Sequence, residues 1–362
     1  MKIYKHSHFL ADENGHGGNK RTAQINQILP DAGIEFEETD FNMSSKSKNK
    51  VQLYLKGLFH NKKFSRQQKH HYATGRFLDL FESFIKRNRP DLFIWESTVG
   101  YYLLLSDILK KYQIPTIALP HNLESLVTGS QNIFNLKPSP IWLNEEIGHL
   151  RNCNCIFTMS REESWLLSAF GLNSICLPYY PPRNTEASLK AIREKRKERP
   201  VQDKRKKDIL LLGTYHNRPT AEGYIIIINE LKSRADYILH IAGFGSKSLQ
   251  HIFPEDNVRF WGEVSTEDLA QLMILCDCAV IHQQPTSGSL TRIPEMLIAG
   301  IPVLANIHAS RSCNHLKGVS VYHNTAELLD LLKRCSSLMP PLLQHPVEEL
   351  LFVENVIKNA YH

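Results

Sequence analysis

The segment Gln284-Pro-Thr-Ser-Gly-Ser-Leu-Thr-Arg-Ile-Pro-Glu-Met-Leu-Ile-Ala-Gly-Ile-Pro-Val-Leu-Ala-Asn306 decides the fold of the second half of the chain. Its pattern predicts a polar loop, a short helix over 293–299, a turn at Gly300 and a buried parallel strand over 301–305. Gly288 lets the backbone approach a ligand closely. Since unpaired N–H groups at the start of the helix face the loop, we predict an anion site there, suited to a diphosphate.

Arg292 and Glu295 are the chemically informative residues of this predicted helix. They lie three positions apart, so both side chains can point along one helix face toward the same ligand. The alternative is an ordinary αβ unit in which the two side chains form a surface ion pair. The segment alone leaves both interpretations open.

The composition is typical of a soluble globular protein. With 362 residues, of which 42% are hydrophobic and 22% charged, the chain is long enough for two domains. Its apolar runs are too short to span a bilayer, and its first residues do not resemble a signal peptide. The seven cysteines include two C-x-C pairs but no C-x-x-C pair of the kind found in zinc sites. We therefore expect reduced thiols and a cytoplasmic protein.

Apolar strand patterns alternate with helical patterns along most of the chain. This alternation predicts an α/β protein with doubly wound parallel sheets. A proline-rich stretch, Pro178–Pro182, followed by a charged run, indicates a domain boundary. We predict a first domain over 1–182, a charged linker over 183–207, a second domain over 208–340, and a C-terminal helical segment over 341–362 that returns to the first domain.

A glycine-rich turn follows the first predicted strand. Gly15, Gly17 and Gly18 lie between that strand and a helix that continues to about Leu29. A turn of this kind allows a phosphate group to approach the backbone. It has neither the G-x-G-x-x-G spacing nor a P-loop, so a plain flexible loop fits it equally well.

A basic amphipathic segment is the second unusual feature of the first half. Between Phe41 and Leu78 there are nine Lys and Arg residues and no acid. The apolar residues recur at helical spacing, and lysines follow them: Val51, Tyr54, Leu55, Leu58, Phe59, Lys62 and Lys63. The segment suits an anionic membrane surface or an acidic acceptor. The alternative is a helix that packs on its own domain with a solvated basic rim, and no nucleic-acid motif accompanies the charge.

Several motifs together resemble those of the GT-B-fold glycosyltransferases, specifically the retaining family 4. Thr291–Val303 is similar to that family's K-x-x-E-x-x-x-x-G-x-P-V signature, with Arg292 at the lysine position. The other matching segments are Leu210–Thr214 with Asn217–Thr220, Ile241–Gly245, Val258–Gly262, Gly17-Gly18 and Pro120-His121-Asn122. The resemblance implies two Rossmann-like domains that face a central cleft.

The resemblance also implies a role for each matching residue. His121 would lie beside the transferred sugar and stabilise positive charge at its anomeric carbon, and Glu295 would bind the ribose hydroxyls of the donor. Ser287 stands where many relatives carry an acid that contacts the donor sugar. The residues implied to bind the donor diphosphate are Arg218, Arg292, Gly288, Ser289, Leu290, Gly17 and Gly18. Those implied to bind the base are Gly243, Phe244, Phe260 and Trp261.

The predicted function is transfer of a sugar, with retention, from a UDP- or GDP-sugar to a glycan, a lipid-linked acceptor or another hydroxyl. We expect no metal and no cofactor beyond this nucleotide-sugar co-substrate. The predicted context is polysaccharide, glycolipid or envelope biosynthesis. The predicted location is the cytoplasm, with a possible peripheral position on the inner face of an anionic membrane, and no nucleic-acid partner is expected.

Two departures from the family keep other functions open. Ser287 replaces the first of two acids that lie eight positions apart, and Glu222 stands where a lysine is common. A non-catalytic sugar-nucleotide-binding relative is therefore one alternative, and a GT-B-fold sugar-nucleotide epimerase is another. The basic segment argues against the epimerase, which has no acceptor to meet. A Rossmann dehydrogenase is disfavoured because neither half has the G-x-G-x-x-G fingerprint.

Overall fold

The computed structural model describes residues 1–41, 49–61, 70–127, 141–199, 206–335 and 339–361. The chain divides into two compact units. Unit 1 comprises Met1–Pro178 together with Pro346–His362, and unit 2 comprises Tyr179–His345. Each unit is an α/β layer structure built on a parallel sheet, which confirms the predicted fold class.

Unit 1 begins with the strands and helices of the first half of the chain. In chain order they are β1 (Ile3–His6), α1 (Gly17–Asp31), β2 (Glu37–Glu38), α2 (Lys50–Asn61), α3 (His71–Asn88), β3 (Leu92–Trp95), α4 (Leu104–Lys111), β4 (Thr116–Ala118), α5 (Ile141–Leu150), β5 (Cys155–Thr158), α6 (Arg161–Ala169) and β6 (Ser174–Cys176). The strands β1, β3, β4 and β5 are buried along their whole length, as expected for strands covered on both faces.

The sheet of unit 1 has the strand order β2-β1-β3-β4-β5-β6 among the described residues, and every pairing is parallel. The chain leaves β1 toward β2 on one side and later returns to β3 on the other. The strand order therefore reverses between β1 and β3. In open parallel sheets, a crevice forms at the carboxyl ends of the strands at such a reversal.

Unit 2 repeats this plan with its own elements. They are α7 (Arg183–Lys197), β7 (Lys207–Leu212), α8 (Arg218–Leu231), β8 (Tyr237–Ala242), β9 (Val258–Gly262), α9 (Thr266–Leu275), β10 (Cys278–Ile281), α10 (Arg292–Ile298), β11 (Val303–Asn306), β12 (Val319–Tyr322) and α11 (Thr325–Arg334). The described strands are ordered β12-β11-β10-β7-β8-β9, again all parallel. Here the reversal lies between β7 and β10, so the loops that follow these two strands meet at one crevice.

A last helix, α12 (Glu348–Ala360), belongs to unit 1. Phe352 and Val356 on this helix are fully buried in the core of unit 1, where the Phe352 ring meets the Phe157 ring edge-on at 5.2 Å between centroids. The prediction that the C-terminal helix returns to the first domain is confirmed.

The first part of the charged run 183–207, which we expected to be a linker, is instead a packed part of unit 2. Residues 183–197 form helix α7 of unit 2, and Leu189, Ile192 and Arg193 on this helix are buried. The Arg193 and Arg196 guanidinium groups donate to backbone carbonyls at the ends of α9 and α10, where the carbonyls of a helix have no partners within the helix itself. Much of the charge in this run therefore caps neighbouring helices.

Candidate functional site

Arg292 lies at the strand-order reversal of unit 2. It begins α10, and its Nη1 donates a hydrogen bond across the crevice to the Leu212 carbonyl at the end of β7, at 3.0 Å. The next residue, Gly213, has φ of +154°, and a Cβ there would lie 2.2 Å from Arg292 Nη1. Only glycine therefore leaves room for the guanidinium at this position.

The electrostatics of Arg292 indicate an anion site. Burial lowers the pKa of its guanidinium, with Tyr224 partly opposing the effect. Its Nε is buried without a hydrogen-bond partner, and no carboxylate of the described residues lies within ion-pair distance. A buried charge of this kind is costly unless an opposite charge compensates it. The surface ion pair between Arg292 and Glu295, considered as the alternative, is not formed among the residues described.

Glu295 is also held in place. One turn along α10, its side chain is buried, and Oε1 accepts a hydrogen bond from the Tyr179 hydroxyl at 2.9 Å. Tyr179 follows the first proline of the stretch that ends unit 1, far away in the sequence. The hydrogen bond orients the carboxylate, and the role of Glu295 at the ribose stays a prediction.

The loop from His282 to Thr291, here called the β10–α10 loop, contains Gly288 with φ of +80°. The Asn306 side chain fixes the start of this loop. Its Oδ1 accepts a hydrogen bond from the Gln283 amide, and its Nδ2 donates to the Gln283 carbonyl. Ser289 Oγ lies 3.7 Å from the Cys313 thiol, and Leu290 packs on the core of unit 2. Helix α10 has only seven residues, and the anion site expected at its start stays a prediction.

Arg218 lies at the start of α8, after the loop that follows β7. Its side chain is 78% exposed, and Nε pairs with Glu222 at 2.7 Å, one helical turn on. Glu222 is the residue that stands where the family commonly has lysine, and this pairing raises the pKa of Arg218. The guanidinium is therefore shared with a neighbouring acid, unlike that of Arg292.

The residues predicted to bind the base lie at the ends of β8 and β9. Gly243 packs so closely on the loop after β7 that a Cβ there would lie 2.0 Å from the Gly213 carbonyl oxygen. The Phe244 ring is exposed and lies 5.0 Å from the His216 ring between centroids. Phe260 is partly buried, whereas Trp261 is partly exposed and donates from Nε1 to His240 Nδ1 at 3.2 Å. His240 also hydrogen bonds to Asp208, so the orientation of the Trp261 indole is fixed by a chain of two hydrogen bonds.

In unit 1, His121 lies in the loop after β4, and its Nε2 is 2.8 Å from Glu96 Oε1. Glu96 also accepts from the Thr22 hydroxyl at 2.7 Å and pairs with Lys5 at 2.9 Å, and both charged side chains are fully buried. Burial alone would raise the pKa of Glu96, but Lys5, His121 and Thr22 hold it below its ordinary value. The ionised carboxylate therefore accepts the Nε2 proton of His121 and fixes the ring orientation.

The glycine-rich turn supports the same histidine. The Phe9 ring stacks on His121 at 4.8 Å between centroids, and a Cβ at Gly18 would lie 2.8 Å from the Phe9 ring. The Gly18 amide is already bonded to His16 Nδ1, which caps α1. Gly18 thus provides room for Phe9, and the diphosphate role of Gly17 and Gly18 stays a prediction.

Two buried carboxylates hold the segment that follows His121. Glu163 Oε1 accepts the Leu123 amide at 2.9 Å, and the Glu146 oxygens accept the amides of Glu124 and Ser125 at 2.9 and 3.0 Å. Burial, partly offset by these hydrogen bonds, raises the pKa of Glu146 to about 7. The His121 loop is therefore anchored from α5 and α6.

The basic amphipathic segment forms helix α2, as predicted. Its packing face is Leu53, Gly57 and Asn61, one turn apart, against α3. The apolar residues Val51, Tyr54, Leu55 and Phe59 are exposed by 63%, 46%, 42% and 62%, and Leu58 is partly buried. The helix therefore packs on α3 of its own unit, and most of the stripe is exposed, although the Tyr54 ring meets the His71 ring on α3 at 5.4 Å between centroids. The membrane role of the stripe stays a prediction. Lys62 and Lys63 lie outside the described residues.

The structure thus brings the predicted residues together in two groups. In unit 2 these are Arg292, Glu295 and the β10–α10 loop, and in unit 1 they are His121 and the glycine-rich turn. Sequence reasoning missed Glu96, Tyr179 and Arg311, which contact His121, Glu295 and the carbonyls of the β10–α10 loop from distant positions. It also missed Lys5, which pairs with Glu96. Glu96 carried one usable signal, since a polar residue directly follows the buried strand β3.

No helix in the described ranges has the length and hydrophobicity needed to cross a membrane. Within the same ranges, no three His, Cys, Asp or Glu side chains gather as metal ligands would. The expectation of a metal-independent reaction stays a prediction.

No protein-family model matches the chain, and no curated protein matches it in sequence. Solved structures do match. A sucrose-phosphate synthase from Thermosynechococcus elongatus is 14% identical with a TM-score of 0.61, over 92% of this chain and 89% of that one. HepE from Anabaena, solved in complex with UDP and glucose, is 14% identical with a TM-score of 0.58, over 99% and 93%.

A third match is a UDP-forming α,α-trehalose-phosphate synthase from Burkholderia xenovorans. It is 10% identical, with a TM-score of 0.60 over 100% of this chain and 98% of that one. These likenesses, together with the two parallel six-stranded sheets of the described residues, define the GT-B fold. At such low identity they establish the fold alone, and membership of family 4 stays a prediction.

Proposed function

We propose that this protein is a glycosyltransferase that moves a sugar from a nucleotide-sugar donor to a hydroxyl acceptor. The observation that carries the proposal is Arg292, a buried guanidinium at the strand-order reversal of unit 2 with no acid of the described residues beside it. A nucleoside diphosphate supplies the missing negative charge, and guanidinium groups bind phosphate oxygens with several parallel hydrogen bonds.

The donor is a UDP- or GDP-sugar. Arg292 and the amides of the β10–α10 loop bind its diphosphate, while Glu295, oriented by Tyr179, accepts hydrogen bonds from the ribose hydroxyls. Phe244, Phe260 and Trp261 offer aromatic surface to the base, and Ser287 lies where the donor sugar is recognised. HepE, which shares the fold, was solved with UDP and with UDP-glucose, and this supports a donor of the same chemical class.

In the proposed reaction, the bond between the anomeric carbon of the sugar and the diphosphate oxygen breaks as the acceptor hydroxyl binds to that carbon. Negative charge develops on the diphosphate and positive charge on the sugar, and the protein stabilises both. Arg292 is already positioned to stabilise the leaving diphosphate, so little reorganisation is needed as charge grows. His121, with its Nε2 proton directed at Glu96, stabilises positive charge at the anomeric carbon. We propose that the reaction proceeds with retention and without a metal, and that the hexosyl group goes to an acceptor bound by unit 1.

The acceptor is a glycan or a lipid-linked hydroxyl in polysaccharide, glycolipid or envelope biosynthesis. The exposed apolar face of α2 and the basic residues that flank this helix in the sequence support this choice. Such a face binds an anionic lipid surface through both apolar burial and charge. The protein would then act in the cytoplasm, at the inner face of a membrane.

A thermal-shift panel of nucleoside diphosphates and nucleotide sugars tests the proposal. The wild type should be stabilised by UDP or GDP and their sugars, since a ligand that binds only the folded state raises its melting temperature. Arg292→Met should lose this shift, while its own melting temperature without ligand stays equal or rises, because an uncompensated buried charge has been removed.

Arg334→Met is the matched control, since Arg334 forms an exposed ion pair with Asp330 on α11. It should keep the full ligand response. A wild type that responds to no nucleoside diphosphate would contradict the proposed function. Incubation with the stabilising nucleotide sugar then separates transfer from epimerisation, because release of nucleoside diphosphate that depends on an acceptor marks a transferase.

A further inference from the structure

Arg311, in the loop between β11 and β12, holds the β10–α10 loop by its main chain. Its Nε donates to the Gly288 carbonyl at 2.6 Å, and Nη2 donates to the Ser287 carbonyl at 2.6 Å. Its Nη1 donates to the His308 carbonyl within its own loop. One planar guanidinium therefore fixes two successive peptide groups and ties them to the end of β11.

Fixing these carbonyls also fixes the amides of the same peptide groups. In a planar trans peptide, the C=O and N–H bonds point in opposite directions. The N–H groups of Gly288 and Ser289 therefore point away from Arg311. Among the described residues, neither amide donates a hydrogen bond to the protein.

The local charge favours an anion opposite Arg311. Residues 282–294 contain no Asp or Glu, and Arg292 begins the helix that follows this loop. The positive φ of Gly288 permits the turn that places the two amides on one side. The absence of the usual acid at Ser287 leaves the loop without a negative side chain of its own.

We propose that Arg311 is a positioning residue for the donor diphosphate: by holding the carbonyls of Ser287 and Gly288, it presents the amides of Gly288 and Ser289 to the phosphate oxygens. This inference rests on the proposed nucleotide-sugar site. Arg311 acts through the loop backbone, so its loss should weaken the part of donor binding that depends on phosphate and leave the binding of the nucleoside unchanged.

Calorimetric titration of Arg311→Ala and Arg311→Lys with two ligands tests the inference. The probes are whichever of UDP and GDP stabilises the wild type and the corresponding nucleoside, uridine or guanosine. Arg311→Ala should weaken binding of the diphosphate at least about 10-fold, since hydrogen bonds to a charged group are lost, and leave the affinity for the nucleoside within about 2-fold. Arg311→Lys should show the same selective loss, because a single ammonium group does not reproduce the planar fork.

Arg334→Ala serves as the control for the loss of an arginine from unit 2. Equal weakening of both ligands, or wild-type affinity for the diphosphate in Arg311→Lys, would overturn the inference and leave the proposed function standing. If Arg311→Ala does not fold, Arg311→Lys decides the question alone. Failure of the wild type to bind any nucleoside diphosphate would instead remove the proposed function and this inference with it.

Discussion

Buried charged residues of this protein fall into two kinds that differ in their partners. Lys5 and Glu96 neutralise each other inside unit 1, and Glu96 has further hydrogen bonds from Thr22 and with His121. Arg292 in unit 2 has a carbonyl partner and no acid among the described residues. A paired buried charge serves structure or orientation, and buried Arg193 is stabilised by carbonyls at a helix end. Arg292 differs because its buried Nε has no partner among the described residues, and we propose that a ligand supplies the opposite charge.

Removal of the Tyr179 hydroxyl should weaken donor binding through the ribose. Tyr179→Phe loses the hydrogen bond that orients Glu295, and we expect about 5- to 10-fold weaker binding of UDP or GDP, equivalent to about 1–1.5 kcal/mol. Binding of the corresponding 2′,3′-dideoxy nucleotide should not change. Calorimetric titration measures both.

Tyr112→Phe is the control for this substitution, because Tyr112 donates to the Glu82 carboxylate in unit 1 at 2.7 Å. An equal loss for the ribose and dideoxy forms would show that Tyr179 does not act through the ribose site.

Glu146 should make stability depend on pH. Burial, partly offset by the amides of Ser125 and Glu124, raises its pKa from 4.5 to about 7 in the folded protein. A pKa that is higher in the folded than in the unfolded state contributes stability that is complete below pH 4.5 and is lost as pH rises through about 7. The stability of the wild type relative to Glu146→Gln, which does not titrate, should fall by about 1–3 kcal/mol between pH 4.5 and 8.

Urea unfolding of both proteins across this pH range measures the difference. A difference that stays constant with pH would show that Glu146 has the same pKa in the folded and unfolded states. The same measurement on Glu145→Gln provides a neighbouring acid for comparison.

At the scale of elements, two glycines determine how helix α2 packs on helix α3. A Cβ at Gly57 would lie 1.8 Å from the His71 carbonyl oxygen, and one at Gly75 on α3 would lie 1.8 Å from the Leu53 carbonyl oxygen. The two helices therefore approach through glycines, while Val51, Leu55 and Phe59 of α2 are left on the opposite, exposed face. The sequence pattern predicted the stripe, but not which face would pack.

This exposed face should mediate binding to anionic membranes. In flotation with liposomes, the wild type should associate with vesicles that contain phosphatidylglycerol and not with vesicles of phosphatidylcholine alone. Leu55→Ser combined with Phe59→Ser should reduce the bound fraction to background, because about 1.5–3 kcal/mol of apolar burial is lost for each side chain and the two losses together weaken binding by at least about 100-fold.

Leu350→Ser is the control, since Leu350 on α12 is more exposed than either Leu55 or Phe59. Binding of the wild type that is absent, or that is the same for both kinds of vesicle, would leave α2 without a role at the membrane.

At the scale of the whole molecule, the chain forms two units with the same architecture, and α12 completes the first after the second has been built. Each unit has its own strand-order reversal, and the predicted site residues cluster at these two places. This follows from parallel topology, because loops that leave neighbouring strands in opposite directions open a crevice between them.

Unit 1 should depend on α12 for its stability. Phe352→Ala removes a fully buried ring from the core of unit 1 and should destabilise that unit by about 3–5 kcal/mol. Hydrogen exchange followed by mass spectrometry should show faster exchange in β3 and β5, with exchange in β7 and β10 unchanged. Tyr361→Ala, a change at an exposed position, should alter neither. Faster exchange in both units would contradict the expectation that α12 stabilises unit 1 alone.

The sequence by itself determined the order of strands and helices, the α/β class, and the candidates Arg292, Glu295 and His121. These depend on local periodicity, on glycine and proline positions, and on motifs of a few residues. Only the tertiary structure decided which partner each residue has. Tyr179 and Glu295 are 116 positions apart, and Arg311 and Gly288 are 23 apart. The charged run 183–197 became a packed helix for the same reason, because its arginines find carbonyl partners only once α9 and α10 have assembled beside it.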